Sequence, residues 1–548
     1  MANLPVALDT IANVLKSGQI GQPVAVRAVA NLDADRGHVE RLAAKVLAHA
    51  IAWLGGKPDR LTAGGTAGSG QITILAALDG GQTALVSAGS RGPGRPLLAV
   101  EVWCNRGILS WEDDHLLGTS YEDQALSNNE TALLQQIESS LGRRSSQSPS
   151  KKTGSRRAVA SKRRKTQPPP YGVLLVAGDH THQPNYAQAM AADRRCRLVG
   201  LTDEADVTPR RRRLNEQLAK RLGIPVLPDL GKALARDDVH VVSICAEPVR
   251  RGRIAVLAAR AGKHLYLDKP LAGSLREAES IVAAVRKAGV VGHMFSVVHA
   301  EPANRVRAVL ESGELGDLAA IHFDLCFAKG QAGTARLGTP REESRSPDRF
   351  ELVESKRELS NVGVYPLVQL LSLVRRNVRR VTATTGNYFF AEHQKNGMED
   401  FGQMLLDLDG GLVASISVGR TGWRSHPGGG LNRVFLVGTK SCALVDAHQP
   451  RIEVWGDMKR WSPPKRNPDD PMGMWLLPPG SPFKAKPRQT WLTLPSDPCV
   501  ADLGHFLDCI EHGRESTVSA GVAAAATEVL LAGYQSAATH QTITLPPG

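Results

Sequence analysis

A turn rich in polar side chains follows the apolar run YGVLLVAG at residues 171–178 and reads GDHTHQPNY. An apolar run that ends in glycine is typical of a buried parallel strand. A helix that starts directly after such a strand offers backbone N–H groups that can bind a phosphate. A dinucleotide fingerprint has three glycines in this turn, but here only Gly178 is present, and His180 and Gln183 take the other two places. The turn therefore predicts a phosphate site that depends on its strand and helix context.

An acidic residue ends the next predicted strand, CRLVGLTD, at Asp203. A carboxylate at this place accepts hydrogen bonds from an adenosine ribose and repels a 2'-phosphate, which favours NAD over NADP. The arginines at residues 210–213 have two interpretations. They could pair with a 2'-phosphate, so that NADP stays possible, or they could form the solvated start of a helix.

Metal and disulfide chemistry receive little support from the sequence. Asp179, His180 and His182 could suggest a metal site, but two histidines one residue apart without a clear third ligand are usually turn residues. The seven cysteines are scattered singly and show no paired spacing. We expect reduced, mostly structural thiols and no metal.

Strands and helices alternate through residues 171–299. A helix carries Leu214, Leu218 and Leu222 on one face and stops at Gly223, and the runs VHVVSICAEP and LYLDKP predict further strands. SLRE at residues 274–277 is a capping box that opens another helix. This alternation predicts an α/β fold with a doubly wound parallel sheet of the Rossmann type, which binds dinucleotides.

Several phrases of this region resemble one enzyme family. AGKHLYLDKPLAGS, SGELGDL at residues 312–318, LDGG and the closing LPP are similar to the Gfo/Idh/MocA oxidoreductases, over residues 171–548. The resemblance implies hydride transfer between a nicotinamide cofactor, NAD or NADP, and a sugar, cyclitol or related polyol. It also implies that residues 300–548 form an α/β open-sheet domain, mostly antiparallel, for substrate binding and oligomerisation.

The family's catalytic lysine corresponds to Lys269. Its second signature, an aspartate followed four residues later by His or Tyr, falls on Asn361 and Tyr365. A spacing of four puts two side chains on one helical face, and Lys269 beside Tyr365 should lower the pKa of the phenol, so that Tyr365 acts as the base. An amide at Asn361 can orient a hydroxyl but cannot take a proton. A non-catalytic relative that binds a nucleotide or sugar as a sensor or assembly partner therefore remains the alternative.

These arguments predict a set of site residues. The catalytic residues are Lys269, Tyr365 and Asn361, and the same three with His293 are expected to contact the substrate. Cofactor contacts are expected from the strand ends and the turn, namely Gly178, Asp179, His180, Thr181, His182, Asp203, Glu247, Pro248, Asp268 and Lys269.

A repeated phrase points to a second copy of the open-sheet domain. LDGGQTALVSAGSRG at residues 78–92 returns as LDGGLVASISVGRTG at residues 408–422. VLKSGQIG and DRLTA, at residues 14–21 and 59–63, return in the same order as VLESGELG and RRVTA, at residues 309–316 and 379–383. Residues 1–140 are therefore predicted to be a degenerate copy, in which Arg41 and Lys45 replace Asn361 and Tyr365.

The first copy is expected to cover the exposed sheet face of the second, as an intrachain pseudo-dimer, while higher homo-oligomers remain possible. Residues 141–170 read as a flexible linker rich in Ser and Pro, which carries ten basic residues and no acidic one out of a net charge of +13. Because the charge is concentrated there, nucleic-acid binding is unlikely. The sequence shows no membrane span or signal peptide, so we expect a cytoplasmic protein.

Overall fold

The computed structural model describes most of the chain outside the basic linker. The described residues are 4–32, 36–65, 70–90, 97–113, 125–145, 169–177, 182–328, 330, 332–343, 357–422, 429–449, 451–453, 491–493 and 498–546. Four residues with a predicted cofactor contact, Gly178, Asp179, His180 and Thr181, lie outside them.

The first unit is a six-stranded sheet with three helices. Its elements are α1 (Leu4–Lys16), β1 (Pro23–Leu32), α2 (Arg36–Leu54), β2 (Pro58–Gly64), β3 (Gln71–Leu78), β4 (Thr83–Ser90), β5 (Leu97–Cys104), β6 (Gly107–Asp113) and α3 (Asn128–Ser145). The strand order is β2-β3-β4-β1-β5-β6, in which only β1 and β4 run parallel. Because side chains alternate along a strand, Val26, Ala28 and Ala30 join the core under the helices, whereas Arg27 and Val29 lie on the opposite face.

The second unit is a parallel six-stranded sheet. Its elements are β7 (Tyr171–Val176), α4 (Gln183–Ala192), β8 (Cys196–Thr202), α5 (Pro209–Leu222), β9 (Val226–Leu227), α6 (Leu230–Leu234), β10 (Val241–Ile244), α7 (Pro248–Arg260), β11 (His264–Leu267), α8 (Leu275–Ala288) and β12 (Gly292–Met294). The strand order β12-β11-β10-β7-β8-β9, with every pair parallel, confirms the predicted doubly wound α/β sheet. Ser274 caps α8 as predicted, since its hydroxyl accepts from the backbone N–H of Glu277 at 3.3 Å, and it also donates to the Glu277 carboxylate at 3.2 Å.

The third unit is a mixed sheet with helices on one face. Its elements are α9 (Glu301–Glu311), β13 (Leu318–Phe327), α10 (Glu358–Asn361), α11 (Val364–Val374), β14 (Val378–Gly386), α12 (Ala391–Lys395), β15 (Phe401–Leu408), β16 (Val413–Arg420), β17 (Asn432–Gly438), β18 (Cys442–Asp446), β19 (Arg451–Glu453), β20 (Trp491–Thr493), α13 (Pro498–Glu511), α14 (Ala520–Thr539) and β21 (Ile543–Thr544). The strand order is β18-β17-β13-β16-β15-β14-β21, while β19 and β20 pair separately. Its apolar core is continuous with that of the second unit. Among the described residues, no helix combines the length and apolarity needed to cross a membrane.

Six strands of the third unit repeat the topology of the first. The order β14-β15-β16-β13-β17-β18 matches β2-β3-β4-β1-β5-β6, and β13 and β16 form the parallel pair that β1 and β4 form in the first unit. The first strand of each sheet has a register shift at the same place, between Pro23 and Ala25 and between Leu318 and Ala320. The LDGG phrase turns between β3 and β4 and again between β15 and β16. The two sheets therefore share their strand order and the place of their one parallel pair over these six strands.

The faces of these two sheets that carry no helices pack against each other. The Trp103 ring lies 5.5 Å from that of Phe401, measured between ring centroids, and both side chains are buried. The Tyr388 hydroxyl donates to the carbonyl of Gly81, in the first LDGG turn. Leucines and valines of both sheets form a further shared cluster, which consists of Leu75, Leu85, Leu405 and Val413. The first unit therefore covers apolar surface of the third.

Removal of the first unit should expose this surface. We expect a chain that lacks residues 1–140 to self-associate or become insoluble, because a contiguous apolar patch of this kind drives association. Sedimentation velocity and thermal melting, compared with those of the full chain, measure the effect. A truncated chain that stays soluble, monomeric and equally stable would contradict the expectation.

Candidate active site

The side chain of Lys269 extends from the end of β11 into the third unit. Its Nζ donates to the backbone carbonyl oxygen of Asn361 at 2.7 Å and also to the Oδ1 of the same residue. Lys269 is only 5 % exposed, and burial lowers the pKa of its ammonium to about 8, although Asp268 and Glu358 oppose the shift. An amine with this pKa can exchange a proton near neutral pH.

Tyr365 lies beside this ammonium, but not in the predicted manner. The Nζ of Lys269 is 5.0 Å from the centroid of the tyrosine ring, so the cation faces the ring and not the hydroxyl. Burial, with the nearby Asp268 carboxylate, raises the pKa of the Tyr365 phenol. The expectation that Lys269 lowers this pKa is therefore wrong. The phenol stays protonated, and its hydroxyl makes no hydrogen bond within the part of the chain that the structure describes.

A helix break separates the two residues of the NVGVY signature. Asn361 ends α10, whereas Tyr365 is the second residue of α11, so the two do not share one continuous helix as their spacing predicts. At the break, a Cβ on Gly363 would lie 2.1 Å from the carbonyl oxygen of Leu359, which explains why glycine stands there. Both side chains nevertheless reach Lys269.

Glu358 is a site residue that the sequence reasoning missed. Its buried carboxylate accepts from the Nδ2 of Asn361 at 3.0 Å and from the Nε of Arg420 at 2.9 Å, and His393 lies 3.4 Å away. Burial alone would raise the pKa of Glu358, but Arg420 and His393 hold it at about 2. Because Glu358 binds the NH₂ group of Asn361, the amide oxygen is directed at Lys269. The sequence signal for this residue was an acidic side chain three positions before Asn361, which one helical turn brings to the same face.

The predicted ribose acceptor, Asp203, lies at the expected edge of the parallel sheet. Its Oδ1 accepts from the Nη2 of Arg211 at 2.7 Å and from the backbone N–H of Glu204 at 2.9 Å. Its Oδ2 accepts from the Nε of Arg211 at 2.7 Å and from the Nδ2 of Asn215 at 2.6 Å. A carboxylate has about four acceptor positions, so protein donors already fill those of Asp203.

Arg211 connects three strand ends at this edge. Besides Asp203, its guanidinium contacts the carboxylate of Glu247 and donates to the carbonyl of Ala177 at 2.7 Å, and the side chain is 2 % exposed. Two carboxylates surround this one guanidinium, and the Nε of Arg250 lies 4.0 Å from the Oε2 of Glu247. The sequence reasoning considered the arginines of residues 210–213 as one group and did not distinguish the buried Arg211 from its exposed neighbours Arg212 and Arg213.

Asp268 and His182 form a contact beneath the lysine. The Oδ1 of Asp268 accepts from the Tyr186 hydroxyl at 2.9 Å and lies 3.0 Å from the Nδ1 of His182, while Arg251 approaches its second oxygen at 3.5 Å. Burial would raise the pKa of Asp268, but His182 and Arg251 keep it below its usual range. Asp268 therefore anchors the end of β11, with Lys269 next to it. Within the described ranges, no three His, Cys, Asp or Glu side chains converge to hold a metal ion.

His293 does not belong to the site. Its ring is fully buried, with Nε2 at 2.8 Å from the Oδ2 of Asp502 and Nδ1 at 2.7 Å from the hydroxyl of Ser516. A buried ring with both nitrogens paired cannot contact a substrate, so the prediction for His293 is wrong. Its position on β12 joins the second unit to α13. Pro248, by contrast, directly follows Glu247 and starts α7 at the predicted edge of the parallel sheet.

Comparison with known protein families gives a match for the second unit and another for the third. Residues 175–296 match the family model described as "Oxidoreductase family, NAD-binding Rossmann fold". Residues 303–458 match the model described as "GFO/IDH/MocA C-terminal domain". The two matches follow each other in the order of the second and third units.

Characterised relatives match shorter stretches. The 4-carboxy-2-hydroxymuconate-6-semialdehyde dehydrogenase of Sphingobium sp. (strain NBRC 103272 / SYK-6) is 33 % identical over 102 residues, which are 18 % of this chain and 30 % of the relative. The 1-carboxy-3-chloro-3,4-dihydroxycyclo hexa-1,5-diene dehydrogenase of Comamonas testosteroni is 30 % identical over 133 residues, or 24 % of this chain and 32 % of the relative. The chain thus spans about a third of the length of these two relatives.

Solved structures share the fold at low identity. GenD2 from gentamicin A biosynthesis, solved in complex with NAD, aligns with a TM-score of 0.54 and 22 % identity over 71 % of this chain and 100 % of its own. A putative myo-inositol dehydrogenase from Sinorhizobium meliloti 1021 aligns with a TM-score of 0.51 and 18 % identity over 69 % and 100 %. Because both domain models match in order and together cover about half of the chain, the chain belongs to the Gfo/Idh/MocA family of oxidoreductases.

Proposed function

We propose that the protein is an NAD-dependent oxidoreductase that acts on a CH–OH group of a sugar, cyclitol or related polyol. The observation that carries the proposal is the buried ammonium of Lys269, with a pKa of about 8, at the junction of the second and third units. Asn361 accepts from this ammonium and the Tyr365 ring lies 5.0 Å from it, so both residues can offer polar groups to a hydroxylated substrate. The NAD-binding description of the matched first domain supports the choice of cofactor.

Oxidation of an alcohol requires a hydride acceptor, a base and a donor that stabilises the developing alkoxide. Bound NAD would supply the hydride acceptor. Lys269 in its neutral form takes the hydroxyl proton, and Tyr365, which stays protonated, donates a hydrogen bond to the reacting oxygen. Asn361 orients a neighbouring hydroxyl. This assignment moves the role of the base from Tyr365, for which it was predicted, to Lys269, because burial raises the pKa of the phenol and lowers that of the ammonium.

The edge of the parallel sheet fits a dinucleotide in its topology and charge. Asp203, Glu247 and Lys269 follow the carboxyl ends of β8, β10 and β11, which is the edge of the sheet where this fold binds its ligands. Since Arg211 fills acceptor positions of Asp203, a ribose diol must replace at least one of its hydrogen bonds. The carboxylate of Asp203 repels a 2'-phosphate, so we propose NAD over NADP.

A non-catalytic relative that binds a nucleotide or sugar, as a sensor or assembly partner, is the second candidate. The engagement of Asp203 by Arg211 favours it, as does the amide in place of an acid at Asn361. Thermal shifts with NAD, NADP and a panel of polyols, followed by turnover assays with every ligand that stabilises the chain, distinguish the two. Stabilisation without turnover supports the second candidate.

We also propose that residues 1–140 are a degenerate copy of the open-sheet domain and act as an intrachain pseudo-dimer partner. The shared strand order, the shared bulge position and the packed sheet faces support this proposal. Arg41 and Lys45, which correspond in sequence to Asn361 and Tyr365, lie on α2. Other surfaces are left for contacts between whole chains.

Substitutions in the site should separate its two main roles. We expect Lys269→Ala to abolish turnover and Tyr365→Phe to lower kcat by about two orders of magnitude, the range for loss of an acid–base or hydrogen-bonding group. Lys287→Ala and Tyr171→Phe remove the same groups away from the site and serve as controls. Steady-state kinetics on a substrate found in the panel measures the effect. Unchanged rates in both site variants would refute the assignment.

The pH dependence of the reaction should follow Lys269. Oxidation needs the neutral amine, so its rate should rise with pH and level off above a midpoint near 8, while reduction should decline over the same range. Asn361→Asp places a negative charge beside the ammonium and should move the midpoint to higher pH. A midpoint that does not move in this variant would point to another titrating group.

Arg211 should control cofactor choice. Arg211→Ala frees two acceptor positions of Asp203 for a ribose diol and removes the cation that pairs with Asp203. We expect the ratio of the NADP to the NAD dissociation constant to rise about tenfold, a difference of about 1.4 kcal/mol. Titration calorimetry measures both constants, with the exposed Arg213→Ala as the control. A lower ratio would mean that Arg211 binds a 2'-phosphate.

A further inference from the structure

Four charged side chains form a closed arrangement between the two packed sheets, which we name the charge square. Arg27 on β1 is directly opposite Glu101 on β5, and Asp324 on β13 is directly opposite Arg433 on β17. Across the interface, the Nε of Arg27 lies 3.6 Å from the Oδ1 of Asp324, and Arg433 donates to the carboxylate of Glu101. Each charge therefore has a neighbour of opposite sign on its own sheet and another on the other sheet, and Arg433 also pairs with Asp446 on β18 at 3.0 Å.

The charges of the square are costly to bury. The Arg27 side chain is 2 % exposed and that of Glu101 is 6 % exposed. Burial raises the pKa of Glu101 to about 7 although Arg433 acts against it, and burial also raises the pKa of Asp324 in spite of Arg27. Buried ion pairs often contribute little net stability, and their best-attested use is to select one partner or register. The square is therefore better explained by specificity than by stability.

The square occupies only one of two equivalent corners of the interface. Counting along β1 and β13 from their shared bulge, His322 takes the position of Arg27, and Asp324 takes that of Val29. A symmetric pair of sheets would repeat each corner. Here all the charge lies at one corner, where the first sheet contributes Arg27 and Glu101 and the sheet of the third unit contributes Asp324 and Arg433.

The second corner carries no charge. His322 is directly opposite Phe435, with ring centroids 6.2 Å apart and the planes nearly parallel, while Val29 is opposite Ala99. Val29 and Phe435 belong to one buried cluster. Burial, with the nearby Arg27, holds the pKa of His322 far below its usual value, so this ring is neutral.

Two first sheets packed in the same geometry would lose the square. Each corner would place Arg27 and Glu101 of one sheet against Val29 and Ala99 of the other. Both charged pairs would then be buried without any charged neighbour across the interface. Each charge would keep only its neighbour within the sheet, and a buried ion pair that loses half of its compensating charges is unfavourable.

Two sheets of the third unit would lose it as well. Each corner would place Asp324 and Arg433 against His322 and Phe435. A neutral imidazole and a phenyl ring do not replace the arginine and the glutamate that now complete the square. Only unlike sheets bring four charges together at one corner and four uncharged side chains at the other.

We propose that the charge square restricts the open sheet face of the third unit to the first sheet of the chain and excludes the same face of a second copy. The surface thus fits a partner sheet that has a cation at the position of Arg27 and an anion at that of Glu101. This inference rests on the proposed pseudo-dimer. It adds the residues that make the pairing selective.

A cleaved chain tests the proposal. A protease site is inserted within residues 146–168 of an N-terminally tagged full chain, and after cleavage the C-terminal fragment retained on the tagged fragment is quantified. The inverted variant, Arg27→Glu with Glu101→Arg, keeps both the pair within the first sheet and the net charge, but sets like charges against Asp324 and Arg433. We expect the dissociation constant of the fragments to rise at least about tenfold. Inversion of an exposed pair, Arg236→Asp with Asp238→Arg, should leave it unchanged.

A compensating set of substitutions gives the reverse test. Asp324→Arg with Arg433→Glu, added to the inverted variant, restores the square with every sign reversed. Asp446→Asn accompanies them, because Asp446 now lies 3.0 Å from the Nε of Arg433. Retention should return to within about threefold of the parent chain. Equal retention of the parent and inverted fragments, or folded fragments that the compensating set fails to rejoin, would overturn the proposal. Parent fragments that separate would instead refute the pseudo-dimer itself.

A third variant needs no cleavage and retains a packed interface. Arg27→Leu with Glu101→Leu removes the charges that penalise pairing between first sheets, and buried pairs often tolerate such replacement. The uncut variant should form dimers in a concentration-dependent manner beyond any association of the parent chain, as sedimentation velocity would show. Sedimentation identical to that of the parent would count against a role of the square in selection.

Discussion

A buried ammonium between two domains determines the geometry of the site. Lys269 must find oxygen acceptors when it leaves water, and the end of α10 supplies two of them on Asn361. Glu358 holds that amide and is itself neutralised by Arg420 and flanked by His393. The lysine of the parallel sheet, the helix of the third unit and the end of β16 therefore form one connected set of charges. Their mutual compensation explains why a lysine with a lowered pKa persists there.

The third unit also needs a cover for its sheet. Helices pack on one face of that sheet. The opposite face carries apolar residues such as Phe401 and Leu405, and a contiguous apolar patch of this kind is unfavourable when it is exposed to water. The first unit provides the cover with a sheet of the same topology. Buried polar contacts accompany the apolar ones, for example the hydroxyl of Ser87 at 3.0 Å from the Nε2 of His322. The interface thus combines buried apolar surface with a pattern of charges that differs between the sheet of the first unit and that of the third.

Local pattern predicted much of this architecture. Apolar runs, the capping box and the repeated LDGG turn indicated the parallel sheet and the positions of two matching hairpins, because these features depend on neighbours in sequence. Lys269 and Asn361 were found through resemblance, and the structure brings them into contact. The predicted boundaries of the units and the role of the basic linker stay predictions.

The failures have one physical origin. The pKa of Tyr365, the burial of His293 and the engagement of Asp203 by Arg211 all depend on burial and on partners distant in sequence. No periodicity reports which side chain will fill the space between three strand ends. Charge pairs between separate units, such as Arg433 with Glu101, could not be predicted from the sequence for the same reason, because their two residues are far apart along the chain.

The ionisation of Lys269 can be observed directly by NMR. In full-length protein with ¹³C at the lysine ε-carbons, the Lys269 resonance, identified by its absence in Lys269→Arg, is followed against pH. The account predicts a midpoint near 8 for this lysine, as burial requires, while exposed lysines titrate near 10.4. A midpoint for Lys269 at the value of the exposed lysines would contradict the account, because the amine would then be protonated wherever the enzyme needs a base.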